Sequence, residues 1–398
     1  MRQIIVHIGH PKTGTSTLQK CLHRSRGALL QHGVLYPHTI RGNNHLAIKP
    51  LFVGPEAADR NELRRHKGNY DAIMEDAQNA WTLVCNDIAR HKPETVILSS
   101  EGFFGLGKND GVRKFVQELK AMADEVTFVA YIRAPSAFYL SSLSQNIKFS
   151  GSFRPHNRLN FFRSSLQHYL QLTNATTNVH KFDRAELIGG DIVQDFTTRY
   201  LTKTAASAVK MAESEANLSM SAEAMALLDD IDAGTAPKPY DQLRVLTKEQ
   251  QRHILRIDRR LPGGTSPKYK PGVARIIHDA TSDLEWVENT LDIRFERPEA
   301  HPSARFLRLD ELTSVRAICL INEQRYQQLG DKALKGLARA NQKDRVAAAI
   351  HPLIPKAVLR AANGFRNSFR AITRPIRHSG FARRIRNQVK LLKKRLFL

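Results

Sequence analysis

Over the first 200 positions, short runs of consecutive apolar residues alternate with longer amphipathic stretches. Gln3 to Ile8, Thr95 to Ser99, Val126 to Ile132 and Thr177 to Phe182 read as strands. Thr15 to Gln31, Tyr70 to Arg90, Gly111 to Ala123, Ser136 to Ile147 and Asp191 to Leu201 carry helical periodicity. The strands are nearly continuous in apolar residues instead of alternating, and helices separate them. That combination predicts an α/β fold: a three-layer, P-loop-like parallel sheet covered by helices on both faces. From Ala212 onward the pattern is mostly helical, clearest over Ser221 to Ile231 and Lys248 to Arg259. Turn-rich stretches at Gly234 to Tyr240 and Leu261 to Gly272 interrupt it. The predicted organisation is an α/β core over 1–205, a helical continuation over 206–344 and a tail over 345–398. Ligands of such sheets bind beyond the carboxyl ends of the strands. Three segments therefore draw attention: Gly9 to Thr15, Ser100 to Gly107 and Arg133 to Ser141.

The first of these, Gly9-His10-Pro11-Lys12-Thr13-Gly14-Thr15-Ser16-Thr17-Leu18, follows a strand and opens a helix. Two glycines let the backbone turn and aim its N–H groups inward. The helix N-terminus adds partial positive charge, and the hydroxyls of Thr15, Ser16 and Thr17 are further donors. Such a site suits a phosphate. A nucleoside-triphosphatase loop would place lysine directly after Gly14; here Thr15 stands there and the cation is earlier, at Lys12. Pro11-Lys12-Thr13-Gly14-Thr15-Ser16 resembles the 5′-phosphosulfate loop of sulfotransferases that use 3′-phosphoadenosine-5′-phosphosulfate (PAPS), whose usual form is PK[ST]GT[ST]. The resemblance implies that Lys12 holds the oxygen bridging sulfate and phosphate, while Thr13, Gly14, Thr15, Ser16 and Thr17 wrap the 5′-phosphate.

Val126 to Ile132 ends in Arg133-Ala134-Pro135, with Ser141 eight residues after Arg133. This is similar to the same family's 3′-phosphate signature, RxPxxxxxS. A guanidinium at a strand end can grip a phosphate with two hydrogen bonds, and Ser141 can add a hydroxyl from the next helix. Pro135 would set that helix's entry angle in its first turn. The resemblance covers about the first 150 residues.

Transfer to a hydroxyl needs a base near the acceptor oxygen. Glu101, in Ser99-Ser100-Glu101-Gly102-Phe103-Phe104, follows a strand and looks like the glutamate of carbohydrate sulfotransferases. His45, in Asn43-Asn44-His45-Leu46, is the alternative; it could equally bind sugar hydroxyls. His7 and His10 flank the loop and are expected to serve packing or capping. The resemblance thus implies an enzyme that moves the sulfuryl group of PAPS, without a metal, onto a hydroxyl of a glycan or glycolipid. The helical continuation would shape the acceptor site.

Charge adds one more element. The formal net charge is +23, and the stretch from Arg345 to Leu398 holds 14 Lys and Arg with no Asp or Glu. Most of the imbalance therefore lies in the tail, which argues against nucleic acid as a partner of the whole chain. Apolar residues among these cations, as in Val389-Lys390-Leu391-Leu392-Lys393, suggest peripheral contact with an anionic membrane surface. The N-terminus lacks the pattern of a signal peptide, and the three cysteines, Cys21, Cys85 and Cys319, form no disulfide or metal spacing. A cytoplasmic address, extending to the inner face of the membrane, is expected. Two rivals remain: a nucleotide-dependent kinase with an atypical loop, and a non-catalytic membrane- or nucleic-acid-binding protein.

Overall fold

The computed structural model describes residues 2–350 apart from 109, 155–158, 160, 212–219, 244–245 and 305–306. Five parallel strands form one sheet: β1 (Gln3–His7), β2 (Val34–Leu35), β3 (Thr95–Ser99), β4 (Glu125–Ile132) and β5 (Thr176–Lys181). Their order is β2-β3-β1-β4-β5. From β1 the chain runs to the edge strand β2, returns to β3 between the two, and then crosses to β4 and β5 on the other side, so the two halves of the sheet meet at β1. His7 is level with Ser99 of β3 and Val129 of β4, so three strand ends meet there and β4 overhangs them by three residues.

Both faces of β1 are sealed. Ile4, Val6 and Ile8 pack with Val96, Leu98, Phe115 and Phe128 on one side. Ile5, one position out of phase, packs with Ile97, Val129 and Tyr131 on the other, as the two-residue period of a strand requires. The helix Thr15–Leu30 covers this second face through Leu18, Cys21, Leu22 and Leu29, spaced at helical intervals.

A separate apolar cluster joins the helices Ala222–Ala233, Lys248–Arg260, Val273–Asp279 and Glu323–Ile350. The helix Pro135–Ser150 belongs to both units. Tyr139, Leu143 and Ile147 enter the helical cluster, whereas Phe138 packs against His10 beside the sheet.

Most predicted elements recur within one to three residues of their expected ends. The differences lie between them. β2 is only two residues long, the stretch Glu101–Lys108 winds into a 3-10 helix, and Phe162–Leu170 is a helix that periodicity did not single out. The Glu323–Ile350 helix runs past the expected start of the tail at Arg345. The basic residues from 351 onward lie outside the described residues. No helix among the described residues is long and apolar enough to cross a membrane.

Candidate active site

The loop after β1 achieves its shape with three residues at positive φ: Gly9 (62°), Lys12 (70°) and Gly14 (75°). Gly9 is required by crowding as well, since a Cβ there would meet the Glu101 Cα at 3.2 Å and the Thr15 Oγ1 at 3.3 Å. At Gly14 a Cβ would stand 2.9 Å from Ile192 Cγ2. Gly14 is the N-cap of Thr15–Leu30, and no acidic residue occupies that helix's first turn. The Thr17 N–H already donates to the Gly14 carbonyl (2.9 Å); the amides before it in the first turn have no intrahelical partner, and together with the dipole they can face an anion. Within the loop, Thr13 donates its hydroxyl to the His10 carbonyl (2.7 Å) and lies 3.4 Å from the Thr15 hydroxyl. Both threonines are buried, while Ser16 is exposed and Thr17 half-buried. Thr13 therefore braces the turn with its hydroxyl and has only its amide left to offer a ligand.

Arg133 leaves the overhanging end of β4 and donates from Nη1 to the carbonyl of Lys12 at 2.9 Å. Its guanidinium also lies 5.7 Å from the centre of the Phe182 ring, a cation–π distance. Phe182 is itself fixed by its N–H donating to the Ile132 carbonyl (2.7 Å). The two motifs, 121 residues apart, thus converge on one loop. Pro135 occupies the first turn of the following helix. Ser141 is half-buried on that helix, about 9 Å further along the axis by the helical rise.

Glu101 is pinned by the residues around it. Ser100 N–H donates to the His7 carbonyl (3.0 Å) and Phe104 N–H to the Ile8 carbonyl (3.1 Å), which fastens the 101–108 segment onto the end of β1. The Tyr169 hydroxyl, donating to the Phe103 carbonyl at 2.6 Å, holds it from behind. Glu101 is exposed toward solvent, but the protein packed about it raises its carboxyl above the ordinary range, with the charge of Lys12 opposing that rise. Lys12 responds in the opposite sense. Burial lowers its ammonium, Glu101 counteracts this, and the cations of Arg133 and Lys148 lower it further. Lys12, Glu101, Arg133 and Lys148 therefore share one electrostatic environment over the strand ends.

The histidines are differently placed. His45 is only 3% exposed; its N–H donates to the Ser99 carbonyl (2.9 Å), and its Nδ1 accepts from the Ser99 N–H (3.1 Å). Burial pushes its pKa down to about 4. It is an extra rung on β3, closed off from a substrate arriving through solvent. Below it, His7 Nδ1 and the Ser99 hydroxyl are 2.8 Å apart, and Gln19 donates to the same oxygen at 3.1 Å. His10 is fully buried among Phe104, Phe138, Phe161 and Phe162, with ring centroids 4.9–5.4 Å away. Burial holds His7 and His10 at about 3. All three imidazoles are neutral parts of the scaffold beneath the loop.

Tyr269, from the turn-rich stretch Leu261 to Gly272, was not singled out from the sequence. Its hydroxyl donates to the Ser136 carbonyl (2.6 Å), in the first turn after Arg133. The dense Gly, Pro and Lys content of that stretch was the only local signal. Among the described residues, no group of three or more His, Cys, Asp and Glu is gathered to hold a metal ion. No protein-family model, curated protein or solved structure matches this chain.

Proposed function

We propose that the protein transfers the sulfuryl group of PAPS to a hydroxyl of a carbohydrate-type acceptor. The observation that carries this reading is the 2.9 Å bond from Arg133 to the Lys12 carbonyl, which brings the end of β4 onto the loop after β1. A donor phosphorylated at both the 3′ and 5′ positions needs two cationic sites held at a fixed separation. The loop amides and Lys12 suit the 5′ end; Arg133 and Ser141 suit the 3′-phosphate.

In the proposed step, the acceptor oxygen attacks sulfur in line while its proton passes to the Glu101 carboxylate. The bond from sulfur to the bridging oxygen breaks, and that oxygen leaves on the 5′-phosphate with its negative charge facing Lys12. Glu101 suits the base role because its raised pKa makes it a better proton acceptor than an ordinary carboxylate, and because it faces solvent beside Lys12. His45 has its Nδ1 lone pair committed to Ser99 and its ring sealed from solvent. Positioning and electrostatics supply the remainder, as in phosphoryl transfer.

Calorimetry tests the donor half against the kinase reading. Binding of 3′-phosphoadenosine 5′-phosphate, with none of ATP plus magnesium, is expected; the reverse would overturn the proposal. With PAPS and a panel of glycans and glycolipids, Lys12→Ala should lower turnover roughly 10²–10³-fold, the usual cost of losing one preorganised donor to developing charge. Near-normal turnover in that variant would remove Lys12 from the chemistry.

A further inference from the structure

We propose that Tyr269, carried by the helical unit, is a positioning residue that sets the spacing between Arg133 and Ser141 and so the protein's preference for a 3′-phosphate. The inference rests on the donor site described above and adds a regulator of that site from outside the α/β core.

Arg133 precedes the helix Pro135–Ser150 and Ser141 lies inside it, so the separation of the two depends on the first two turns of that helix. Tyr269 acts on this stretch. Its hydroxyl donates to the Ser136 carbonyl at 2.6 Å and lies within reach of the Leu140 N–H. These are the two groups that the first turn of a regular helix would join to each other. A hydroxyl that touches both groups ties the winding of this turn to the loop that carries Tyr269. The phenol and the Arg133 guanidinium are also close enough to influence one another electrostatically.

The loop that carries Tyr269 is anchored at both ends. At its start, the buried Arg325 side chain donates to the carbonyls of Asp258 (3.0 Å), Leu261 (3.2 Å) and Pro262 (3.2 Å). Arg325 is held in turn by Glu223 (3.0 Å) and Asp258 (2.8 Å). At the other end Tyr269 pairs with Cys319 in an antiparallel bridge. Lys270 N–H donates to the Ile318 carbonyl and Leu320 N–H to the Lys268 carbonyl, each at 2.9 Å. A tyrosine that only glued helices together would need no such double tether. One that must deliver a hydroxyl to a single point on a neighbouring helix does.

The test is titration calorimetry on the full chain with 3′-phosphoadenosine 5′-phosphate and with adenosine 5′-monophosphate. The native protein should prefer the bisphosphate by at least about 100-fold, from charge-assisted contacts to the 3′-phosphate. Tyr269→Phe keeps the ring and should narrow that preference by about tenfold, the scale of one hydrogen bond. Its affinity for the monophosphate and its melting temperature should stay at native values. Arg133→Ala should abolish the preference. An unchanged preference in Tyr269→Phe, or equal weakening toward both nucleotides, overturns the positioning role and leaves the donor site standing. A native protein with no preference at all overturns the donor site itself.

Discussion

The strand ends of the sheet unit and the core of the helical unit bury polar groups in opposite ways. Beneath the strand ends, the sheet unit hides three neutral imidazoles, His7, His10 and His45, each 3% exposed or less. The cations above them, Lys12, Arg133 and Lys148, form no ion pair within 4 Å among the described residues, so their charge is available to a ligand. The helical unit spends its charges internally. Arg325 pairs with Glu223 and Asp258, Arg316 with Asp230 at 2.9 Å, and Asp229 takes the Val315 N–H at 2.9 Å. One unit leaves its cations unpaired over the strand ends. The other pairs its own so that its loops hold still. A buried ion network contributes little net stability, yet the loss of one partner is strongly destabilising because it leaves a buried charge unpaired.

Three measurements would break or sharpen this contrast, and the two tryptophans help, because Trp81 and Trp286 both pack with the sheet unit. The largest effect expected is acid sensitivity of that unit. Its three histidines fall from about 6.5 to about 3, 3 and 4 on folding, so the folded chain binds fewer protons than the unfolded one. Their contribution is fully present above pH 6.5 and is lost as pH falls from there toward about 3. The slope reaches up to roughly 4 kcal/mol per pH unit if all three take up a proton on unfolding. A tryptophan-detected unfolding midpoint that stays level between pH 6.5 and 4.5 would contradict it.

Next comes Arg325→Ala, which strands Glu223 and Asp258 and should cost about 3–5 kcal/mol. Ellipticity at 222 nm should then show an early transition that tryptophan emission does not share. A single coincident transition would mean that the Pro135–Ser150 helix couples the units too tightly to separate. The smallest effect on stability is expected at Glu101. Glu101→Gln should shift the midpoint by no more than about 0.5 kcal/mol, as for an exposed surface position, yet reduce turnover by roughly 10²–10⁴-fold, the range for a general base. If the proposed transfer is right, the acid limb of kcat/KM in the native protein should lie above the usual carboxylate range, because a protonated Glu101 cannot accept the acceptor's proton. Lys12→Ala should move that limb higher still, by removing the charge that opposes the shift. An acid limb at an ordinary carboxylate position would take the base role from Glu101.

Those elements that bury whole faces were readable from the sequence. The strand Gln3–His7 and the helices Thr15–Leu30 and Tyr70–His91 follow from periodicity, because their packing repeats along their length. The order of Lys12, Arg133 and Ser141 was readable as well, since motif spacing is local even when its partner is distant. The pairing of His45 with the backbone of Ser99 was not, and neither was the reach of Tyr269 to Ser136, 133 residues away. Such contacts leave no period and depend on two loops meeting in space. In the sequence both Glu101 and His45 stood as candidates for the proposed base for the same reason, as burial distinguishes the two residues and composition does not.

The backbone at Lys12 has a consequence of its own. A lysine held at φ 70° occupies a conformation that side chains other than glycine enter at a cost of about 1–2 kcal/mol. Selection for thermal robustness alone would therefore drift toward glycine here, giving sturdier descendants that lack the lysine. A library screened for heat tolerance and one screened for turnover should part company at this position before any other in the loop.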